Sequence, residues 1–300
     1  MSGNILEVRS LATSFATARG PVHAVRDVSF DIGAGEIVGL VGESGSGKTA
    51  TAQSVMQLLP SHATVEGSIR FGGRDLAALD RQQLRAVRGR DISMIFQDPM
   101  TSLNPVLTIG TQFLDVLRAH GTVTRPGARA RGVELLGLVG IPEPALRMQQ
   151  YPHQMSGGMR QRALIALALA NEPRLLIADE PTTALDVTVQ AGILRLLVEL
   201  RDRIGMSILL VTHDLGVVSE TCDRVLVMYG GRLVEAGAVR SVLRAPRHPY
   251  TAALLSSSIP VDVARSERLV TIDSSADDLH NPFVGCAFNP PCSTEEHTHD

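Results

Sequence analysis

The sequence predicts an α/β protein built around a phosphate-binding loop, and three observations carry that expectation. Strand-type and helix-type stretches alternate along the 300 residues, the pattern of a sheet covered by helices. A glycine-rich run, GESGSGKT at residues 42–49, stands between the apolar stretch EIVGLV and the helix-like KTATAQSVMQLL. This is the strand, loop, helix order that such a loop requires. A further short apolar run, RLLIAD at 174–179, delivers two carboxylates, Asp179 and Glu180, to its end, where the ligand sites of α/β sheets lie.

The elements follow in chain order. ILEVRSL (5–11) and AVRDVSFDI (24–32) are β-rich, although the period-two alternation through Val25, Asp27, Val28, Ser29 and Phe30 is only partly clean; an antiparallel layer is expected. EIVGLV (36–41) is a strand set off by the turn GAG, and residues 48–59 after the loop are helical. GSIRF (67–71) and DISMIF (91–96) are further strands. Between residues 99 and 171 the periodicity becomes helical, in IGTQFLDVLRAH, ARARGVELLGLVG and GMRQRALIALALAN, interrupted by GTVTRPG and GIPEP. Strands return in RLLIAD, SILLV (207–211) and RVLVMY (224–229), with the amphipathic TVQAGILRLLVELRDRIG between the first two. Beyond Val239 the β signal fades into one or two helices and a polar tail. The expected organisation is a core of residues 1–98 and 172–238 with its antiparallel β layer, an inserted helical subdomain over 99–171, and a C-terminal extension and tail over 239–300.

Bulk composition narrows the function classes. At 44% hydrophobic residues the chain can build a substantial core. A formal net charge of −3, with no lysine-rich run and no basic strip interleaved with aromatics, speaks against nucleic acid as a partner. The longest apolar run, ALIALALA at 163–170, is far short of the ~18 residues that cross a bilayer. The opening MSGNILEVRS lacks a basic stretch followed by an apolar one, so no secretory signal is expected. Three cysteines, an odd number in a long chain, fit a reducing compartment rather than a disulfide framework.

Of the 28 basic side chains, one alone is a lysine, Lys48. Arginine carries a wide planar fork, lysine a compact charge on a slim stem. In the pattern met by Gly42, Gly47, Lys48 and Thr49, the backbone of Glu43, Ser44, Gly45, Ser46 and Gly47 curls its N–H groups around phosphate oxygens. The following helix points its positive end at the same anion. Lys48 reaches the β- and γ-phosphates through a narrow gap, and the Thr49 hydroxyl is a Mg²⁺ ligand. Asp179, at the end of its strand, suits Mg²⁺, and Glu180, one residue on, is placed to take a proton from an attacking water.

Four more patches complete an ordered set: Gln97 in IFQDP, MSGGMRQR from Met155, TALD ending at Asp186, and VTHD around His213. Together the six motifs resemble the nucleotide-binding subunit of an ATP-binding cassette (ABC) transporter over about residues 5–237. The resemblance implies a P-loop NTPase (RecA-like) core with an antiparallel β subdomain and an inserted α-helical subdomain. It implies that Gln97 touches Mg²⁺ or the attacking water and senses the transmembrane partner. Ser156, Gly157 and Gly158 would form a signature that contacts the γ-phosphate held by the opposite subunit, Asp186 would couple the two sites, and His213 would contact the γ-phosphate. Phe15 resembles the aromatic that stacks on adenine. Read without the family, Ser156 caps a helix, His213 is a core histidine, Gln97 a loop amide and Phe15 a strand-end core residue. Against the common signature Leu-Ser-Gly-Gly-Gln, this chain has Met155 first, Met159 last, and Gln154 in place of the more usual acid.

RHPYTAALLSSSIP (247–260) resembles the C-terminal extension of ATPases that drive oligopeptide and dipeptide importers, with nickel importers as close relatives. In VGCAFNPPC, Cys286 and Cys292 match two positions at which some members hold a [4Fe–4S] cluster. Pro291 replaces an arginine and no cysteine follows, so the ligand set is incomplete, with His297 and His299 the remaining donors. Cys222 is read as a buried small hydrophobe. The resemblance thus implies an ATPase using ATP and Mg²⁺ at the cytoplasmic face of a membrane. Its implied partners are two permease subunits, a second ATP-binding subunit, identical or different, and an extracytoplasmic solute-binding protein. Peptide is the expected cargo, with nickel or another small solute as the alternative. A soluble ABC ATPase not coupled to transport is the rival reading, for which the expected zinc module, coiled coil or second cassette is not found in the sequence.

Overall fold

The computed structural model describes residues 3–98, 102–121, 123–183, 185–257 and 288. Within them the strands are β1 (Asn4–Thr17), β2 (Gly20–Gly33), β3 (Ile37–Val41), β4 (Ala63–Phe71), β5 (Arg74–Asp75), β6 (Ile92–Ile95), β7 (Leu175–Asp179), β8 (Ser207–Thr212), β9 (Arg224–Tyr229) and β10 (Arg232–Ala238). The helices are α1 (Lys48–Val55), α2 (Arg81–Val87), α3 (Ile109–Arg118), α4 (Arg125–Leu138), α5 (Pro144–Arg147), α6 (Gly157–Ala168), α7 (Val187–Ile204), α8 (Leu215–Thr221), α9 (Val239–Arg244) and α10 (Pro249–Ser257). They fall into two compact units. One comprises Leu6–Asp31, Val38–Arg70 and the chain from Thr212; the other comprises Ile32–Ile37 and Phe71–Val211 with the start of β1.

The first unit contains the antiparallel layer. Two residues join β1 to β2, a connection too short for anything but antiparallel pairing, and β4 flanks β1 on its other side. Val28, Phe30 and Ile32 of β2 are buried while Asp27 and Ser29 face out. The alternation fails at Val25 and Arg26, both buried, because Asp27 takes a left-handed φ of 51° and switches the face the strand presents. This unit also carries β3, whose five residues are all buried. It runs parallel to β9, Val38 opposite Arg224 through Val41 opposite Val227. Gly230 and Gly231, at φ 54° and 83°, turn β9 back into antiparallel β10. Val41, Leu215, Val218, Val225, Val227, Val239, Val242, Tyr250, Leu254 and Phe288 form its core cluster.

In the second unit β8, β7 and β6 lie side by side and parallel, with Ile92 opposite Leu175 and Asp179 opposite Val211. Strands covered on both faces read as continuous apolar runs, which is why RLLIAD and SILLV were legible. Helices α3, α4 and α6 pack on one another, and Thr108, Thr124 and Ser156 cap their N-termini. Ile193, Leu194, Leu196, Leu197 and Leu200 form the buried stripe of α7, spaced as an amphipathic helix demands.

Several features depart from the sequence reading. Helix α1 stops at Val55, four residues before the expected end, and Gln57 at φ 53° turns the chain away. Helix α2 escapes periodicity because Val87 is its one buried residue; Asp80 and Gln83 hold it by a reciprocal capping box. Strand β10 was not expected either, being an edge whose residues are half-buried or exposed. Among the described residues no helix is long and apolar enough to cross a membrane.

Candidate functional site

In the first unit β3 delivers the chain into the loop of residues 42–49. Gly42 takes φ 155°, and a Cβ there would lie 2.1 Å from the Met228 carbonyl oxygen. Gly47 takes φ 104°, and a Cβ there would lie 2.3 Å from the Ala24 carbonyl oxygen. Both glycines are thus dictated by backbone packed against the loop as well as by the loop's own curvature. Gly47 is the N-cap of α1 and offers no side-chain cap, so the first N–H groups of that helix face the loop without a side-chain acceptor from it.

Lys48 is 5% exposed. Its Nζ donates to the carbonyl oxygens of Gly42 at 2.7 Å and Glu43 at 2.8 Å, and to Ser46 Oγ at 3.5 Å. The ammonium therefore sits inside the curl of its own loop, where a guanidinium fork would not fit. Ser46 is buried, whereas Ser44, Gly45 and the Thr49 side chain are exposed. The Ser46 carbonyl accepts from Gly231 N–H, so the β9–β10 turn supports the loop from below.

In the second unit β7 ends on Asp179, 2% exposed. Glu180 follows at a left-handed φ of 46°, an uncommon conformation for a non-glycine residue and one concentrated at functional sites. Its N–H donates to the Val211 carbonyl. Gln97 Nε2 and Thr183 Oγ1 each donate to Glu180 Oε2 at 2.8 Å. Thr183 was missed by the sequence reading, since a threonine three residues past an acidic pair carries no signal of its own.

Ser156 Oγ accepts from Met159 N–H at 3.3 Å and opens α6 with Gly157 and Gly158 as its first residues. A Cβ on Gly158 would lie 2.8 Å from Val189 Cγ1, so that glycine is required by the packing of α6 on α7. Met155 is buried, as an apolar substitute for leucine should be. Gln154 Oε1 accepts from Tyr151 N–H at 2.9 Å and closes the 3₁₀ turn Pro152–Gln154. In that one hydrogen bond the amide oxygen accepts as a carboxylate oxygen would, without its charge. Asp186 caps α7, accepting from Val189 N–H at 2.9 Å.

His213, in the first unit, is exposed at the end of β8, immediately before Asp214, the N-cap of α8; it is not a core histidine. Phe15 is half-buried near the end of β1, its ring 6.0 Å from that of His62 and tilted 55° to it. His62 is a second ring that the sequence reading did not include. Burial pushes the Cys222 thiol up to about 12, keeping it protonated and inert. Cys286 and Cys292, with His297 and His299, lie outside the described residues.

A family model described as "ABC transporter" matches residues 25–183, and one described as "Oligopeptide/dipeptide transporter, C-terminal region" matches 234–298. The chain is 51% identical to the oligopeptide transport ATP-binding protein OppD of Bacillus subtilis, covering 95% of this chain and 80% of that protein. It is 50% identical to the dipeptide transport ATP-binding protein DppD of the same organism, covering 96% and 86%. It is 51% identical to the probable peptide ABC transporter ATP-binding protein y4tR of Sinorhizobium fredii, covering 96% and 87%. Among solved structures, the fold matches the ATP-binding cassette MJ0796, solved as a dimer in a post-hydrolysis state bound to ADP and Pi, with a TM-score of 0.70 and 28% identity over 78% of this chain and 99% of that one. It also matches cbiO1 from Clostridium perfringens, part of the ABC transporter complex cbiONQ, with a TM-score of 0.67 and 29% identity over 81% and 91%.

Proposed function

The chain belongs to the ABC transporter family, and from that premise we propose that it binds and hydrolyses ATP to drive an importer of di- or oligopeptides. The observation that carries the nucleotide reading is the single lysine, buried within a glycine loop at 2.7 and 2.8 Å from two of that loop's carbonyls. The C-terminal match over 234–298 and relatives named for peptide transport favour peptide over nickel as cargo. They equally disfavour a soluble ATPase uncoupled from transport.

The roles follow from chemistry. Lys48 and the N-terminus of α1 hold the triphosphate. The Thr49 hydroxyl, the Asp179 carboxylate and the Gln97 amide are hard oxygen donors of the kind Mg²⁺ selects, and the first and last are exposed. Bound with ATP, Mg²⁺ neutralises charge on the β- and γ-phosphates. Glu180 orients a water and takes its proton, steadied by Gln97 and Thr183. His213 contacts the γ-phosphate, and Phe15, beside His62, lies against the adenine. Ser156, Gly157 and Gly158 serve the γ-phosphate of an opposing subunit through the N-terminus of α6, and Asp186 couples the two sites. Cys286 and Cys292 supply half of the Cys₄ set that a [4Fe–4S] cluster takes.

Residues 99–171 are proposed as the helical subdomain that bears the signature, residues 1–98 and 172–238 as the ATPase core, and 239–300 as the extension of the peptide branch. The subunit would sit at the cytoplasmic face of the membrane with two permease subunits, a second ATP-binding subunit and an extracytoplasmic solute-binding protein.

Thr183→Val removes the Thr183 Oγ1 donor to Glu180 Oε2. With one hydrogen bond worth about 1 kcal/mol, kcat for ATP is expected to fall about fivefold with KM unchanged; equal kcat in the variant would show that Thr183 does not steady the carboxylate. The cargo is tested by reconstituting the subunit with its permease pair and receptor in vesicles. Peptide-loaded receptor is expected to stimulate ATP hydrolysis several-fold. Stimulation by nickel-loaded receptor instead, or recovery of the subunit with ribosomes or DNA rather than membrane protein, would refute the peptide assignment.

A further inference from the structure

A side chain of the C-terminal region touches the phosphate loop at a single peptide. The phenol oxygen of Tyr250, the second residue of α10, accepts from Glu43 N–H at 2.9 Å across 207 residues of sequence. That N–H belongs to the peptide unit whose carbonyl is that of Gly42, and this carbonyl accepts from Lys48 Nζ at 2.7 Å. A peptide unit is planar and trans, with N–H and C=O on opposite edges; rotating one edge rotates the other. The same plane is therefore gripped by Tyr250 on one side and by the Lys48 ammonium on the other.

Tyr250 is itself held firmly. It is fully buried, with the Tyr229 ring at 4.5 Å and the Phe288 ring at 5.4 Å, so water is kept from competing for the bond. Its N–H donates to His248 Nδ1 at 3.1 Å, and the Glu235 carboxylate of β10 accepts from the N–H groups of Arg247 and His248 at 2.9 and 3.1 Å. The residues leading into α10 are thereby pinned to β10, and the ring's position does not depend on Glu43. Burial raises the phenol well above its ordinary value, so it stays neutral and hydroxyl-bearing across the physiological range.

We infer that Tyr250 is a positioning residue of the ATP site: it fixes the peptide between Gly42 and Glu43, and through it the Lys48 ammonium, so that the C-terminal region sets the loop's affinity for the triphosphate. The role rests on the reading of this loop as the ATP site. It gives the extension a direct hold on the nucleotide-binding machinery although it lies outside the cassette's own motifs.

The test compares the full-length wild type, Tyr250→Phe and Val242→Ala, titrated with a fluorescent N-methylanthraniloyl ATP and melted without nucleotide. Phenylalanine keeps the ring and its packing but removes the acceptor. Val242 belongs to the same core cluster and is 4% exposed; its truncation is a packing control. Tyr250→Phe is expected to raise Kd about tenfold, the scale of one amide left without its partner, while lowering Tm less than Val242→Ala does. Val242→Ala is expected to bind the probe as the wild type does. Wild-type affinity in Tyr250→Phe, or an equal loss of affinity in Val242→Ala, overturns the positioning role while leaving the ATP site intact. A wild type that binds no ATP overturns the ATP site itself, and this role with it.

Discussion

Glu180→Gln is expected to bind ATP with wild-type affinity and to hydrolyse it at least about 100-fold more slowly, the usual contribution of a positioned general base. The substitution preserves shape, and its amide oxygen can still accept from Gln97 Nε2 and Thr183 Oγ1, which both reach Oε2 at 2.8 Å. What it cannot do is accept a proton from water. The left-handed φ of 46° at this position is a backbone cost that the new residue inherits unchanged, so stability should move little. With hydrolysis blocked, ATP should accumulate between two subunits, and size-exclusion chromatography with ATP should show a dimer that the wild type forms only transiently. Wild-type turnover in this variant would remove Glu180 from the base role.

Lys48→Ala is expected to weaken ATP binding by about 100-fold or more and to bring hydrolysis below detection. Hydrogen bonds from a charged group contribute about 1.5–3 kcal/mol each, and Lys48 supplies more than one within the loop, to the carbonyls of Gly42 and Glu43. Its loss removes both the phosphate's counter-charge and a clasp that shapes the loop. Lys48→Arg should fail nearly as completely, because a planar fork does not fit a 5%-exposed niche lined by main-chain oxygens. Isothermal titration with ATP checks both variants, and unaltered affinity in either would contradict the role assigned to this lysine. The pairing of the two experiments is informative: one is expected to lose chemistry with binding retained, the other to lose binding first.

Much of this site could be read from residue order alone. A strand buried on both faces must be apolar throughout, so the segments that carry Gly42, Asp179 and His213 announce themselves, and turn glycines and helix caps mark where each ends. Helix α2 and strand β10 were not legible, because an element that buries almost nothing leaves no period to detect. The gap in the alternation of β2 was visible as an irregularity, but its cause, a left-handed Asp27, was not.

By itself the sequence determined the chemistry available: one lysine in a glycine loop, two carboxylates at a strand's end, a capped helix opening on two glycines, and the order in which they occur. These are local matters, governed by neighbouring residues along the chain. Only the tertiary structure decided that Gly42 and Gly47 must lack a Cβ because the carbonyls of Met228 and Ala24 press on them. It likewise placed two donors on a single oxygen of Glu180 and set Tyr250 against the Glu43 peptide. Contacts between residues far apart in the chain arise from packing, and packing leaves no spacing in a sequence to be read.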